Sequence, residues 1–285
     1  MRSNWQPSVT VVIPTLNAGE QLAEVLDAIA DQQGIVAEVL VIDSSSTDNT
    51  EAIARSYSAL SWHRIDREEF GHGRTRQLGA TLATSEVVVF LTQDATPASP
   101  EWLASLVAPL EDPEVAGVFA RQIPRPGAVP VIKYEIERVF ASPPPGFYSD
   151  TCSAARRTTL LGPVPYRDVD FSEDFAFAAD ALAAGMRIHY APDTAVRHSN
   201  DIRLRDYAGR MRAEIRGTRQ AGHLVKRYSW PGAMARALVS GLGDQRRIIA
   251  DPEYGWGSTF KWLALNPLYH FARWQGIWAG SRDRV

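Results

Sequence analysis

A single cysteine, Cys152, stands in 285 residues, which excludes an internal disulfide framework and points to a reducing compartment. Long apolar runs are missing as well. No stretch reaches the ~18 uninterrupted apolar residues that a membrane-spanning helix needs. The opening residues Met1-Arg2-Ser3-Asn4-Trp5-Gln6-Pro7 hold no apolar core of signal-peptide length, so the expected location is cytoplasmic. The chain has no phosphate-binding P-loop, and Gly71-His72-Gly73 lacks the strand-glycine-helix setting of a dinucleotide fingerprint. There is no overall cationic excess, the formal net charge being −3, and no nucleic-acid partner is expected. Internal repeats and low-complexity tracts are absent too.

What is present suits a globular protein able to bury a large core, with 45% hydrophobic and 22% charged residues. The charge is unevenly spread. Residues 1–199 carry 15 Lys and Arg against 26 Asp and Glu, whereas residues 200–285 carry 15 against 7. The basic tail either packs on the acidic front or faces an anionic surface.

Strand and helix patterns alternate through the first 120 residues. Strands are predicted over Val9–Ile13, Val39–Ile42, about Leu60–Ile65, Val87–Leu91 and Val115–Ala120. Between them, Leu22, Val25, Leu26 and Ile29 mark an amphipathic helix with Asn17 as N-cap and Glu20 as its capping partner. A second helix opens at Asp48 with Glu51 in the same relation. Others are predicted over Arg74–Ala83 and Pro100–Leu110. This alternation implies a parallel sheet with helices on both faces. Residues 122–150, rich in proline with one helical patch at Ile132–Phe140, read as a functional insertion or lid. A helix over Phe175–Ala184 ends at Gly185, short strands follow at Ile188–Tyr190 and Ala195–His198, and the chain is helical from Ile202.

The run Val87-Val88-Val89-Phe90-Leu91-Thr92-Gln93-Asp94 sets one carboxylate beyond a wholly apolar strand. In open α/β sheets ligands bind at that edge, and such a carboxylate suits a divalent metal and a phosphorylated ligand. Alternatively, Asp94 caps the helix that follows. Gly71 and Gly73 let backbone approach a ligand, and Arg74 and Arg76 at a helix start can meet phosphate.

Thr10-Val11-Val12-Ile13-Pro14-Thr15-Leu16-Asn17, Glu38-Val39-Leu40-Val41-Ile42-Asp43-Ser44-Ser45-Ser46-Thr47-Asp48 and the Asp94 segment stand in that order. Together they resemble the nucleotide-sugar half of a family 2 glycosyltransferase with the GT-A fold. Further on, Phe171-Ser172-Glu173-Asp174-Phe175 resembles the family's Glu-Asp signature, and Val196-Arg197-His198-Ser199-Asn200 its late histidine segment. The loop Phe70–Ala80, Leu91-Thr92-Gln93-Asp94-Ala95 and Ser149–Arg157 are together similar to bacterial rhamnosyltransferases that use dTDP-L-rhamnose.

The resemblance implies a GT-A domain over 1–200, divided into a nucleotide-sugar half (1–121) and an acceptor and catalytic half (122–200), with a helical extension over 201–285. It implies an inverting transfer of L-rhamnose to a saccharide or lipid-linked acceptor in cell-surface polysaccharide synthesis. Asp174 would be the general base, with Glu173 holding the helix end or the acceptor. Thr15, Leu16, Asn17, Asp43, Arg74, Arg76, Gln93 and Asp94 would bind the donor. Asp94 and His198 would hold Mn2+ or Mg2+. The family's Asp-x-Asp is here Thr92-Gln93-Asp94, so its first acid is missing. Asp43 has an alternative reading as an Asx-turn residue. A UDP- or GDP-sugar donor, or a non-catalytic role in a glycan-assembly complex, stays open.

Five of the eight tryptophans (Trp230, Trp256, Trp262, Trp274 and Trp278) fall in the basic tail. They suit peripheral contact with the inner face of the cell membrane, or else the core of a helical subdomain or a homodimer contact.

Overall fold

The computed structural model describes residues 5–169, 171–199, 202–222 and 224–284. Met1–Asn4, Asn200 of the late histidine segment and the expected boundary at 200/201 lie outside them. Two compact units emerge, one of residues 1–123 and 143–198 and one of residues 124–142 and 199–285.

The first unit is built on an eight-stranded sheet. β1 (Val9–Thr15), β2 (Ala37–Asp43), β3 (Leu60–Arg64) and β4 (Val87–Leu91) run parallel in the order β3-β2-β1-β4. Beyond β4 come β7 (Cys152–Arg156), β6 (Val115–Ile123), β8 (Arg187–Arg197) and the two-residue β5 (Thr96–Pro97). β7 is antiparallel to both β4 and β6, and β5 is antiparallel to β8. The sheet is therefore mixed, with six strands pointing one way.

Every residue of β4 is buried because both faces of the sheet are covered, which is why the run is continuously apolar rather than alternating. On one face Val9, Val11, Ile13, Val39, Val41, Val87, Val89 and Leu91 join Leu22, Val25, Leu26 and Ile29 of α1 (Glu20–Ala30). Trp102, Leu103 and Leu106 of α4 (Trp102–Val107) enter the same core. Each such fully buried side chain contributes about 1.5–3 kcal/mol relative to exposure. On the other face α3 (His72–Leu82) lies so close that a Cβ on Gly79 would come within 2.6 Å of Val12.

Several local expectations shift. Asn17 does not cap α1; Gly19 is the N-cap, and the Asn17 side chain accepts from Thr47 N instead. α2 (Thr50–Arg55) starts two residues after Asp48, whose carboxylate accepts from Thr50 N. α4 is shorter than expected and passes into a 3₁₀ turn at Ala108–Glu111. The two short strands expected at 188–198 form one strand, β8, with its register slipping between Ala191 and Ala195, where Pro192 cannot donate to a ladder. α6 (Arg157–Leu160) and α7 (Glu173–Ala183) complete this unit.

The second unit is helical: α5 (Pro130–Ala141), α8 (Leu204–Gln220), α9 (Trp230–Ala250) and α10 (Trp256–Gly280). The helix inside the expected insertion thus belongs with the C-terminal helices. Glycine lets α10 seat against α8, since a Cβ on Gly276 would stand 2.4 Å from Ala208 O and one on Gly280 2.6 Å from Arg212 O. Pro267 lies inside α10 and removes the amide that would bond Leu263 O. Gln245 Nε2 of α9 donates to that carbonyl instead, at 3.0 Å. Three buried or half-buried acids are spent on partners: Asp244 on His270 (2.7 Å) and Asn266, Asp251 on Lys133 (2.7 Å), and Glu135 on Arg273. Among the described residues no helix is long and apolar enough to cross a membrane.

Candidate active site

The ends of β1, β2 and β3 are laced together by their own backbone. Ser44 N donates to Thr15 O at 2.9 Å and Ile65 N to Asp43 O at 2.8 Å. Asn17 N donates to Ser46 Oγ at 2.8 Å. Asn17, Ser45 and Ser172 are the non-glycine residues with positive φ among those described, and all sit in the loops around this edge. Such conformations cost free energy and persist where surrounding bonds fix them.

A cavity of about 230 Å3 opens here, lined by Pro14, Thr15, Leu16, Ser44, Arg67, Phe70, His72, Arg76, Thr92 and Gln93. The Gln93 amide clamps Leu16 from both sides, accepting from Leu16 N at 2.7 Å and donating to Leu16 O at 3.3 Å. It thereby fixes the tip of β1 against the tip of β4. Ser44 Oγ is buried in this wall with no hydrogen-bond partner. His72 lies against Phe70 and Phe171, at ring distances of 5.1 Å each. Arg67 reaches the cavity from a 3₁₀ turn fixed by a reciprocal capping box between Asp66 and Glu69.

Asp43 does not line the cavity. It is wholly buried, and both its oxygens accept from Ser46, one from the backbone N at 3.0 Å and one from the hydroxyl. The carboxylate thus ties down the backbone three residues on, one residue beyond the reach of an Asx-turn, and the next residue, Ser44, lines the cavity. Arg74 is also turned to another partner, since its guanidinium forks onto Asp168 at 3.0–3.1 Å on the surface.

Beyond Gln93, Asp94 Oδ2 lies 3.5 Å from His198 Nε2. The parallel pairing of β6 with β8 brings Gln122 beside His198, whose Nδ1 is 2.9 Å from Gln122 Oε1. Gln122 Nε2 donates to Ser149 Oγ at 2.9 Å, so Oε1 is the acceptor toward the ring. Nδ1 then carries the proton and Nε2 presents a lone pair to the Asp94 carboxylate. A second ring proton, or a cation, satisfies these two facing acceptors. Burial pushes the Asp94 carboxyl up, but hydrogen bonding and charge from the His198 ring with its second proton in place, together with Thr92, outweigh it and hold it below its ordinary value. Carboxylate plus imidazole, with the second ring nitrogen anchored, is a donor set that fits a divalent cation. No group of three His, Cys, Asp or Glu side chains forms a fuller metal site among the described residues.

A second cluster surrounds the start of α7. Arg76 is buried, and its guanidinium pairs with Glu173 at 2.7 Å and approaches Asp150 at 3.5 Å. It also donates to His72 O and Asp150 O, at 3.1 and 3.2 Å. Asp150 accepts from Ser153 Oγ (2.6 Å) and Tyr166 Oη (2.8 Å). Burial pushes its carboxyl up to about 6, with Arg76 pulling down and Glu173 pushing further up. The neighbouring Asp174 is half-buried and accepts from Phe175 N at 2.8 Å. Burial first, then the Glu173 and Asp150 charges, hold Asp174 well above the ordinary carboxylate value. Such a group binds a proton readily.

Thr15, Leu16, Arg76 and Gln93 thus meet on one cavity wall, Asp94 pairs with His198, and Glu173 pairs with Arg76. Asn17 ties two loops together. Arg67, Ser44, Gln122 and Asp150 are site residues that sequence reasoning missed. Arg67 sits among Asp66, Glu68 and Glu69, which mask a lone cation, although Asp66 and Glu69 are spaced as a capping box. Gln122 gives no signal before β6 and β8 are paired. Cys152 is buried and its thiol is pushed up, which removes it as a nucleophile.

The family described as glycosyl transferase family 2 matches residues 10–161. An O-antigen chain rhamnosyltransferase, RfbN of Salmonella typhimurium, is 33% identical over 70% of this chain and 68% of its own length. A second, WbaN of Salmonella anatum, is 34% identical over 68% of this chain and 67% of its own. Among solved structures, the mannosyltransferase PcManGT from Pyrobaculum calidifontis, in complex with GDP-Man and Mn2+, superposes with a TM-score of 0.63 at 22% identity. That match covers 95% of this chain and 86% of the mannosyltransferase, and it shows that the fold is shared.

Proposed function

The chain belongs to glycosyl transferase family 2 and is a glycosyltransferase; we propose that it moves L-rhamnose from dTDP-L-rhamnose, with inversion, to a saccharide or lipid-linked acceptor of a surface polysaccharide. The observation that carries this reading is the cavity at the ends of β1, β2 and β4, whose wall runs directly into Asp94. The rhamnosyltransferase relatives support the sugar.

Thr15, Leu16 and Ser44 offer polar groups to the nucleoside, with Phe70 as an apolar wall. Asp43 acts one step back, by holding the turn that presents Ser44. Arg67 is placed to meet the diphosphate, a role that Arg74, held by Asp168, does not fill. Asp94 and His198 Nε2 would hold a divalent cation, Mn2+ or Mg2+, which when bound neutralises charge on the departing diphosphate. Donor oxygens and water complete its coordination.

In the transfer, the acceptor oxygen forms a bond to the anomeric carbon as the bond from that carbon to the diphosphate oxygen breaks. The electron pair leaves with the nucleotide, and the acceptor hydroxyl proton passes to the Asp174 carboxylate. Arg76 holds Glu173, and so the first turn of α7, in place. The helical extension brings the enzyme to the inner face of the membrane, where a lipid-linked acceptor is presented. Transfer and donor hydrolysis measured across dTDP-rhamnose, UDP-sugars and GDP-sugars, with and without Mn2+, test the reading. Selective turnover of dTDP-rhamnose is expected; turnover confined to another donor overturns the sugar assignment.

A further inference from the structure

The outer face of the helical unit is apolar where a monomer surface is ordinarily polar. Seam contacts put α9 and α10 antiparallel. Gln245 bonds Leu263 O, Gly241 faces Pro267, and Trp230 rests on Trp278 at 5.0 Å. α5 lies on one side of this pair, where Arg247 reaches Glu137 and Arg273 reaches Glu135. The helical periodicity turns Leu238, Leu242 and Ile249 of α9, and Phe260 and Phe271 of α10, to the side away from α5. These side chains are solvent-exposed, with Leu238 at 64% and Phe260 at 67%, and Val239, next to Leu238 on α9, is 70% exposed beside them. Leu268 and Trp256 extend the same surface, Trp256 being 84% exposed at the start of α10.

Charge around this face has one sign. Residues 230–280 contain three acids, Asp244, Asp251 and Glu253. Asp244 is held by His270, while Asp251 and Glu253 are both held by Lys133. Exposed Arg246 and Lys261 flank the apolar side chains. A two-fold contact would set this patch against itself, cation against cation, with no acid to pair them. A surface of phosphate headgroups over acyl chains complements both features at once.

We propose that the face of α9 and α10 carrying Leu238, Val239, Leu242, Ile249, Phe260 and Phe271 docks on an anionic lipid bilayer, lying in its interface without crossing it. This deepens the reading of the extension as a membrane-facing element and does not depend on the donor. Trp256 sits at headgroup depth, where an amphipathic ring is favoured.

The test uses the full chain with phosphatidylcholine vesicles, with and without phosphatidylglycerol. The wild type is expected to co-sediment with the anionic vesicles and to be released by salt. Leu242→Glu with Phe260→Glu should lower the partition coefficient about tenfold or more while hydrolysis of the donor stays at the wild-type rate. The milder pair Leu242→Ser and Phe260→Ser guards against misfolding. A Leu242→Cys variant labelled with a polarity-sensitive dye should shift to the blue on vesicles, because Cys152 is buried and stays unlabelled. A label at Arg216→Cys on α8 should not shift. Failure of the wild type to bind either vesicle overturns the membrane reading entire, with the glycosyltransferase reading still measured by donor hydrolysis. Equal binding by the face variants, with loss in Arg216→Glu, places the contact on α8 and overturns this face. A dimer dissolved by the face variants makes it a protein contact and overturns the proposal too.

Discussion

In the sheet unit, carboxylates are crowded inward: Asp150 and Glu173 are buried around the one guanidinium of Arg76, and Asp174 adjoins them. In the helical unit the acids of α9 and of the turn into α10 are each held by a partner, and cations with apolar side chains face out. The same residue types therefore do opposite work. Crowded and dehydrated acids raise one another's affinity for protons, which suits the proposed role of Asp174 as the base. Acids removed from a surface leave its charge of one sign, which suits the proposed docking on an anionic bilayer.

The sharpest way to break this comparison is Asp174→Asn. It keeps the shape of the α7 start and removes the proposed base, so turnover should fall about 10²–10⁴-fold. Binding of the donor, followed by calorimetry, should be unchanged. Wild-type turnover in that variant would remove the sheet unit's crowded acids from catalysis.

Next in size is Gln122→Ala. Freed from Gln122, the His198 ring loses the bond that orients Nε2, and Mn2+ affinity should fall about 10–100-fold. Electron paramagnetic resonance of free Mn2+ in titrations with nucleotide diphosphate reads this without turnover. Asp94→Ala should abolish the metal response of the same titration.

On the helical side, Gly276→Leu drives a side chain into Ala208 O and Met211 of α8 and should cost about 1–3 kcal/mol. Thermal unfolding measures it. An unchanged melting temperature would mean that the seat between α8 and α10 adds little to the unit carrying the docking face.

The smallest effect is Asp150→Asn. Removing this neighbour of Asp174 should move the acidic limb of the pH–rate profile to lower pH, because one like charge no longer opposes ionisation. Stability gives an independent reading. Asp150 is pushed up to about 6, against about 3.9 in an unfolded chain. The protonated form is favoured by folding, so its contribution is full below about pH 4 and is lost as pH rises through about 6. The melting-temperature difference, wild type minus Asp150→Asn, should shrink across that interval.

Some of this was legible in the chain. Val87–Leu91 reads as a buried strand because five bulky apolar residues in succession suit burial on both faces. Asp94 follows from it, as does the α1 face of Leu22, Val25, Leu26 and Ile29. β7 was not legible. Cys152-Ser153-Ala154-Ala155-Arg156 carries small side chains and no alternation, and it becomes a central strand because β4 and β6 close on it from either side. The helical patch at 132–140 was visible, but not that it joins helices more than 60 residues onward.

Sequence alone determined the alternation of β1 to β4 and β6 with the helices between them, the carboxylate beyond β4, the Glu-Asp pair at a helix start and the basic, tryptophan-rich tail. These are local properties, set by periodicity and by residue type. Tertiary structure decided that Asp43 supports a turn while Ser44 faces the cavity, that Arg76 holds Glu173, that Gln122 orients His198, and that the tail's apolar residues share one face. Each of those depends on residues far apart in the chain meeting across a sheet or a helix seam, where register, and not composition, fixes which atoms come within bonding distance.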